Sequence, residues 1–202
     1  MGTWSRRAFI TSGVAAGGVV VFGVAIRRGD RSEKVRKLIA TDSDALFDVW
    51  LKIAPDNTVT AIIPHADMGQ GVHTALAMML ADELDADWSR VRFEEAPAHK
   101  EFANYALARG YSTAGMDFPA WLIDSVDGLF FRATQVMGLQ ITGGSLSVRT
   151  TGQVAMRVTG AATRAVLLEA AAAEWQVPVS ELGAANSMIR HEASGQIGRA
   201  HV

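Results

Sequence analysis

Apolar and polar positions alternate in a way that predicts two short strands followed by a helix near the start of the folded chain. Residues 48–53 and 58–63 are rich in β-forming residues, and Pro55, Asp56 and Asn57 between them favour a turn. We therefore predict a β-hairpin. Apolar residues then recur every three or four positions, as on one face of a helix, at Val72, Ala75, Leu76, Met79, Leu80 and Leu84. A further short strand is predicted over 91–94.

The second half of the chain is predicted to be mainly helical. Pro119 is suited to the first turn of a helix over 118–137, and a long alanine-rich helix is expected to end near Trp175. We expect this second helix to pack through an apolar stripe formed by Val154, Val158, Ala161, Ala165, Leu168, Ala172 and Trp175. A strand is predicted over 188–191. The fold class is thus α+β, a small mixed sheet with packed helices.

The first 28 residues have the pattern of an export signal. Arg6 and Arg7 precede an uncharged run over residues 8–26, which ends at Arg27 and Arg28 and is diluted by glycines. This pattern resembles a twin-arginine signal. The run is also long enough to serve as a retained membrane anchor. We expect the twin-arginine machinery to export the chain to the periplasm, where it is free or associated with the membrane.

The expected domain organisation follows from the charge pattern beyond this signal. Residues 29–44 are highly charged and show no clear apolar face, so we predict a linker there. The folded domain is predicted over 45–196. Residues 197–202 have the look of translated adapter sequence, and we expect them to be a non-native tail.

Composition narrows the chemistry. The chain contains no cysteine, which excludes a disulfide, a thiolate zinc site, a thiol nucleophile and a cysteine-ligated iron–sulfur cluster within it. Its net charge is −2, so the chain does not have the excess of basic residues that usually accompanies nucleic-acid binding. Redox chemistry would therefore need a bound cofactor.

Two glycine-bearing loops carry the functional signal. Gly69-Gln70-Gly71 and Gly143-Gly144-Ser145-Leu146-Ser147 each follow an extended stretch and each precede a predicted helix. Glycine allows close approach of the backbone, and the free N–H groups at a helix start attract phosphate. Two such loops could hold one polyanionic cofactor. The alternative is that each loop is simply a tight turn that begins a helix.

The loops and the helices around them resemble a known family. Residues 67–89, 142–149 and the end of the alanine-rich helix near Trp175 are similar to the molybdopterin-binding large subunit of the xanthine dehydrogenase/aldehyde oxidase family, in the branch of the isoquinoline 1-oxidoreductase beta subunit. The resemblance extends from about residue 48 to 195. It implies that the folded part is an incomplete molybdopterin-binding domain.

The resemblance also implies a function. Members hydroxylate an N-heterocycle or an aldehyde with oxygen from water, using molybdenum on molybdopterin, usually in its cytosine dinucleotide form. Electrons pass to a small [2Fe–2S] subunit. By carry-over, the cofactor would be bound from one side by Gly69, Gln70, Gly71 and Thr74, and from the other by Gly144, Ser145, Leu146 and Ser147. The family's catalytic glutamate is expected beyond residue 202, so we expect this fragment alone to be inactive.

A different class of function stays open on the residues alone. The chain could be a non-catalytic exported binding or assembly domain whose loops only begin helices. A cofactor site predicts that both loops face one cavity with free N–H groups, whereas the alternative predicts loops on separate faces or with paired amides.

Other residues that could carry chemistry have simpler explanations. Four scattered histidines lack metal-ligand spacing and are expected to be surface or structural residues: His65, His73, His99 and His191. The acidic group at 82–87 is expected to be a solvated helix end.

Overall fold

The computed structural model describes residues 29–199, with the side chains of residues 29, 30, 32, 147 and 199 excepted. The predicted signal over 1–28 and residues 200–202 of the predicted tail lie outside this range. The described helices are α1 (Gly29–Ile39), α2 (Val72–Leu84), α3 (Tyr105–Ser112), α4 (Ala120–Met137), α5 (Gly144–Ser147) and α6 (Gln153–Trp175). The strands are β1 (Ala45–Phe47), β2 (Leu51–Ile53), β3 (Val59–Ile63), β4 (Val91–Glu95), β5 (Leu182–Ala185), β6 (Met188–His191) and β7 (Gln196–Arg199).

Short turns of other helix types link these elements. Single 3₁₀ turns cover Trp88–Arg90, Lys100–Phe102 and Val179–Glu181, and a π-helical turn covers Val148–Gly152. Within residues 29–199, no helix is both long and apolar enough to cross a membrane.

The first four strands form one mixed sheet in the order β1-β2-β3-β4. The predicted hairpin is confirmed, because β2 and β3 are antiparallel with Ile53 opposite Val59. The predicted first strand is too long, however. Asp48 has φ 58° and begins a turn between β1 and β2, so the strand starts only at Leu51. Strand β4 pairs parallel to β3, and helix α2 connects the two. The predicted α+β class is confirmed.

The main core lies between this sheet, α2 and α6. Residues of β3 are buried throughout, and its Val59, Ala61 and Ile63 contact the apolar face of α2. The helical periodicity predicted for α2 is confirmed, since Val72, Leu76, Leu80 and Leu84 are all buried. Met156 of α6 completes this core.

The segment predicted as a charged linker contributes to a second core. Helix α1 buries Val35 and Ile39 against Val49, Ile62 and Phe102. The expectation that residues 29–44 lack an apolar face is wrong, because two apolar residues four positions apart are enough to dock a short helix. Successive strand residues point to opposite faces, so Ile62 contacts this core while its neighbours contact the main one.

Helix α6 ends at Trp175 as predicted, but a different face of the helix packs. Val154, Val158, Ala161 and Ala165 of the predicted stripe are exposed. The buried face is formed by Met156, Thr159, Gly160, Thr163 and Ala172, of which Ala172 alone belongs to the predicted stripe. The physical reason is close approach to α2, since a Cβ built at Gly160 would lie 2.8 Å from the backbone oxygen of Leu80. Small residues therefore mark the contact better than larger apolar ones do.

The remaining elements lie at the edges of this core. Helix α4 starts after Pro119 as predicted and contacts α3, where Tyr105 meets Phe131 edge to face with ring centroids 5.6 Å apart. Strands β5, β6 and β7 form an antiparallel meander. The predicted strand over 188–191 is confirmed as β6. Residues 197–199 of the predicted tail pair with it as part of β7.

Candidate functional site

The first glycine loop connects the end of β3 to the start of α2. Gly69 has φ 96° and Gly71 has φ 70°, a conformation that side chains other than glycine rarely adopt. Gly71 is the residue that precedes the helix, and no side chain of the described residues caps its first turn. A Cβ at either glycine would meet nothing within 4 Å. The loop therefore presents open backbone at the positive end of a helix dipole.

Hydrogen bonds within this loop fix its shape. The Asp67 Oδ1 accepts a hydrogen bond from the Gly69 N–H at 2.8 Å, and the Gln70 Oε1 accepts one from the Met68 N–H at 2.6 Å. The Gln70 Nε2 donates to the Ala66 carbonyl at 2.9 Å. Both ends of the Gln70 amide are thus engaged inside the loop. Two loop amides are paired, while the first turn of α2 is free of side-chain caps.

Thr74 lies one turn into α2 and is exposed. It is therefore on the same end of the helix as Gly69, Gln70 and Gly71. The sequence brings these four residues together by local structure alone.

The second glycine loop has a different geometry. Gly143 and Gly144 have φ 63° and 57°, and they begin α5, which is a single turn. The chain then continues through the π-helical turn into α6. The expectation that this loop opens directly onto the long helix is corrected, because the single turn of α5 and the five-residue π-helical turn lie between Gly143 and the start of α6 at Gln153. Ser145 and Leu146 are exposed; the side chain of Ser147 lies outside the described part.

The structure brings the two loops side by side. A Cβ built at Gly144 would lie 4.0 Å from the Met68 Sδ, so the second loop lies next to a side chain of the first, although more than 70 positions of sequence separate them. The Gln140 Nε2 also donates a hydrogen bond of 3.4 Å to the Pro64 carbonyl. The loops do not lie on separate faces of the molecule.

Two cavities among the described residues lie away from the glycine loops. The larger of these two, about 710 Å³, is a groove beside Met78, Trp88 and Arg157. None of the eight predicted cofactor-binding residues lines either cavity. Their assignment to a cofactor stays a prediction.

Three of the four histidines are buried, contrary to the surface alternative. His65 lies two residues beyond the end of β3 and is only 2% exposed, and its Nε2 lies 3.3 Å from the Thr151 Oγ1. Burial, with a smaller contribution from the neighbouring charge of His73, lowers the pKa of His65 to about 4. The ring is therefore neutral at pH 7. Its position between Pro64 and the glycine loop was the only sequence signal for it.

The other histidines have structural contacts. The His73 Nε2 lies 3.1 Å from the His65 carbonyl oxygen, and its ring stacks on Phe93 with centroids 4.8 Å apart. His191 is buried between Glu181 and Ser194, while the His99 Nδ1 accepts a hydrogen bond from the Glu101 N–H. Across residues 29–199, no group of three acidic or histidine residues could hold a metal ion.

The acidic group at the end of α2 is paired with arginines of α6. The Arg157 Nη1 lies 2.6 Å from the Glu83 Oε1 and 3.5 Å from the Asp82 Oδ2. Arg164 pairs with Asp85. The expected solvated helix end is thus also a helix–helix contact.

A known protein family matches the part of the chain that contains the first glycine loop. A family model described as a molybdopterin cofactor-binding domain matches residues 16–119, which include the first sheet, α2 and the first glycine loop. The second loop lies outside this match.

Two curated relatives match most of the chain. The chain is 31% identical over 192 residues to the isoquinoline 1-oxidoreductase subunit beta of Brevundimonas diminuta, which covers 94% of this chain and 20% of the relative. It is 34% identical over 171 residues to the membrane-bound aldehyde dehydrogenase [pyrroloquinoline-quinone] of Gluconacetobacter polyoxogenes, which covers 82% of this chain and 17% of the relative. The chain spans about a fifth of the length of these relatives.

Proposed function

The chain belongs to the family of molybdopterin cofactor-binding domains, and we propose that it forms part of the cofactor site of an exported molybdenum hydroxylase. The observation that supports this proposal is the proximity of the two glycine loops at Met68 and Gly144. It joins a helix start with open backbone to a second glycine turn. One of the two relatives is named for pyrroloquinoline quinone, but the matched family and the glycine loops favour molybdopterin.

The residues of the loops fit a phosphate-bearing pterin. Gly71 and the first turn of α2 would donate backbone N–H groups to phosphate, because no side chain of the described residues caps this turn. The Gly69 N–H already donates to the Asp67 Oδ1, so Gly69 would contribute by letting the loop backbone approach the cofactor closely. Gln70 would hold the loop in shape, since its amide is bonded to the Met68 N–H and the Ala66 carbonyl. Thr74 would add a hydroxyl from the same helix end.

The second loop would close the site from the other side. Gly144, Ser145, Leu146 and Ser147 form its single helical turn, and the side chain of Met68 lies beside Gly144. Pterin sulfurs would serve as the molybdenum ligands, so the absence of cysteine from this chain is compatible with the site. We propose the cytosine dinucleotide form of the cofactor.

The proposed reaction is hydroxylation of an aldehyde or an N-heterocycle with oxygen from water. When bound, the molybdenum centre would supply the redox chemistry, and electrons would pass to a small [2Fe–2S] partner subunit. The glutamates of the described residues that could be mistaken for a general base already have structural partners. Glu83 pairs with Arg157, and the buried Glu101 accepts a hydrogen bond from the Gln135 Nε2.

Export by the twin-arginine route is part of the proposal, because Arg6 and Arg7 precede the apolar run. Replacing both with lysine in the full chain should leave it in the cytoplasm of a bacterial host, as measured by fractionation and immunoblot. Equal periplasmic or membrane recovery of both chains would contradict this route.

Cofactor content tests the binding function directly. The chain would be purified from a molybdate-supplied host, with molybdenum measured by mass spectrometry and pterin by fluorescence after oxidation. Release of CMP on hydrolysis would identify the cytosine dinucleotide. We expect both molybdenum and pterin, and we expect Gly71→Ala to lose most of them.

Gly115→Ala is the matched control. Gly115 has φ 75° and, like Gly71, has nothing within 4 Å of a built Cβ, but it lies between α3 and α4. It should retain as much pterin as the unsubstituted chain. A folded unsubstituted chain without pterin, or equal losses in both variants, would overturn the proposal.

A further inference from the structure

Three side chains, close to the two glycine loops in sequence or by contact, are linked through one hydroxyl group. The His65 Nε2 lies 3.3 Å from the Thr151 Oγ1. The Asn104 Nδ2 lies 3.2 Å from the same hydroxyl and donates a second hydrogen bond of 3.0 Å to the Ile141 carbonyl. We call His65, Thr151 and Asn104 the loop bridge.

The loop bridge is close in sequence to both loops. His65 precedes Gly69 by four residues, and Thr151 follows Ser147 by four residues, about one helical turn. The backbone of His65 has a contact of its own, because its carbonyl oxygen lies 3.1 Å from the Nε2 of His73, in the first turn of α2. A shift at either end of the bridge would therefore be transmitted to a loop.

Stability alone does not explain a histidine at position 65. The Nδ1 of His65 is buried without a hydrogen-bond partner among the described residues. A buried polar atom without a partner destabilises a fold, so an apolar side chain at this buried position would avoid that cost. What the imidazole adds is the contact of Nε2 with Thr151.

We propose that His65, Thr151 and Asn104 are positioning residues that set the separation of the Asp67–Gly71 and Gly143–Ser147 loops. This inference rests on the proposed function, since a set separation matters for a ligand held between the loops. The loop bridge would hold both loops in place before any cofactor arrives, which lowers the cost of ordering them on binding.

Matched substitutions can separate the bridge from ordinary packing. Glutamine places its amide nitrogen near the position of a histidine Nε2, whereas asparagine reaches only the position of Nδ1. His65→Gln should therefore keep the bridge and His65→Asn should break it. Thr151→Ser and Thr151→Val form a second pair, which keeps or removes the hydroxyl.

The separation of the loops can be measured on the full chain without cofactor. Since the chain has no cysteine, Thr74→Cys and Ser145→Cys would take two spin labels at known, exposed positions. We expect a single narrow distance by pulsed electron paramagnetic resonance in the unsubstituted background, in His65→Gln and in Thr151→Ser. We expect the loss of this narrow distance in His65→Asn and Thr151→Val.

Thr134→Val is the control for a lost buried hydroxyl. The Thr134 Oγ1 donates within its own helix, to the carbonyls of Phe130 and Phe131, and Thr134 is more deeply buried than the partly buried Thr151. Its variant should keep the narrow distance, and circular dichroism would confirm that each variant is folded. A narrow distance in folded His65→Asn and Thr151→Val, or equal broadening in Thr134→Val, would overturn the inference.

The two proposals fail separately. A narrow loop distance that depends on the bridge, in a chain that never holds pterin, would overturn the proposed function and leave the loop geometry standing. Retention of pterin by a chain whose loop distance stays narrow in the folded His65→Asn and Thr151→Val variants would overturn the loop bridge and leave the proposed function standing.

Discussion

Two helix pairs of this molecule differ sharply in how they are buried. In the α2–α6 pair, seven residues of α2 are buried, and Gly160 of α6 approaches the backbone of α2 closely. In the α3–α4 pair, Thr134 is the one buried residue of α4. Trp121 and Leu129 of α4 are 79% and 67% exposed. The comparison shows that a long continuous helix can form with almost no buried residues, because burial depends on which elements lie beside it.

The largest expected difference between the two pairs is in leucine truncation. Leu80 of α2 is fully buried, so Leu80→Ala should lower the free energy of unfolding by about 2–5 kcal/mol through lost burial and a cavity. Leu129→Ala in α4 should change it by less than about 0.5 kcal/mol. Urea unfolding followed by tryptophan fluorescence would measure both. Similar losses in the two variants would show that α4 is buried in solution.

Acid should lower the free energy of unfolding through the α2–α6 region, because His65 is buried next to α2 and because α3 and α4 contain no histidine. The pKa of His65 is lowered from 6.5 to about 4, so the unfolded chain binds more protons between these values. The stability contribution is present above pH 6.5 and is lost as the pH falls, by about 3 kcal/mol on reaching pH 4. His65→Gln should flatten this pH dependence in urea unfolding series. An unchanged slope would contradict the buried neutral ring.

Replacing a helix glycine with alanine should lower stability in the α2–α6 pair and raise it in the α3–α4 pair. A Cβ at Gly160 would lie 2.8 Å from the Leu80 oxygen and 2.9 Å from the Glu83 Cβ, so Gly160→Ala should destabilise by about 1–3 kcal/mol. A Cβ at Gly128 of α4 would meet nothing within 4 Å. Gly128→Ala should stabilise by up to about 1 kcal/mol through helix propensity. Thermal unfolding of both variants checks the signs, and two changes in the same direction would remove the distinction.

The smallest expected effects are those of the ion pairs, and here the two regions should be alike. Arg109 of α3 pairs with Asp127 of α4, and Arg164 of α6 pairs with Asp85 after α2. Because both pairs are partly exposed, Asp127→Asn and Asp85→Asn should each cost about 0.2–1 kcal/mol, less at high salt. Urea unfolding at two salt concentrations tests this. A loss that is large or independent of salt in either variant would indicate a desolvated pair.

Sequence reasoning predicted helices better than it predicted their contacts. The stripe of α2 was correct because its apolar residues are large and periodic. The stripe of α6 was wrong because Val154 and Val158 are larger than the residues that pack, and close approach selects Gly160 instead. Helix α1 was missed because its apolar residues are few among many charges.

The candidate site also contains residues that could be predicted together from the sequence and residues that only the fold brings together. Gly69, Gln70, Gly71 and Thr74 could be predicted together because they are neighbours at one helix start. The proximity of Gly144 to Met68 follows from the fold, and was a hypothesis that the structure supports. His65 and Thr151 could not be paired from sequence, since 86 positions separate them and neither lies in a recognisable motif.

The amino-acid sequence by itself determined the hairpin, the position of α2, the end of α6, the two glycine turns and the family resemblance. Each of these depends on turn chemistry, residue spacing or backbone freedom within a few neighbouring residues. The tertiary structure alone decided which face of α6 is buried, that α1 docks on the sheet, and that His65 meets Thr151. These depend on free energies of burial and hydrogen bonding between elements far apart along the chain, which no local pattern specifies.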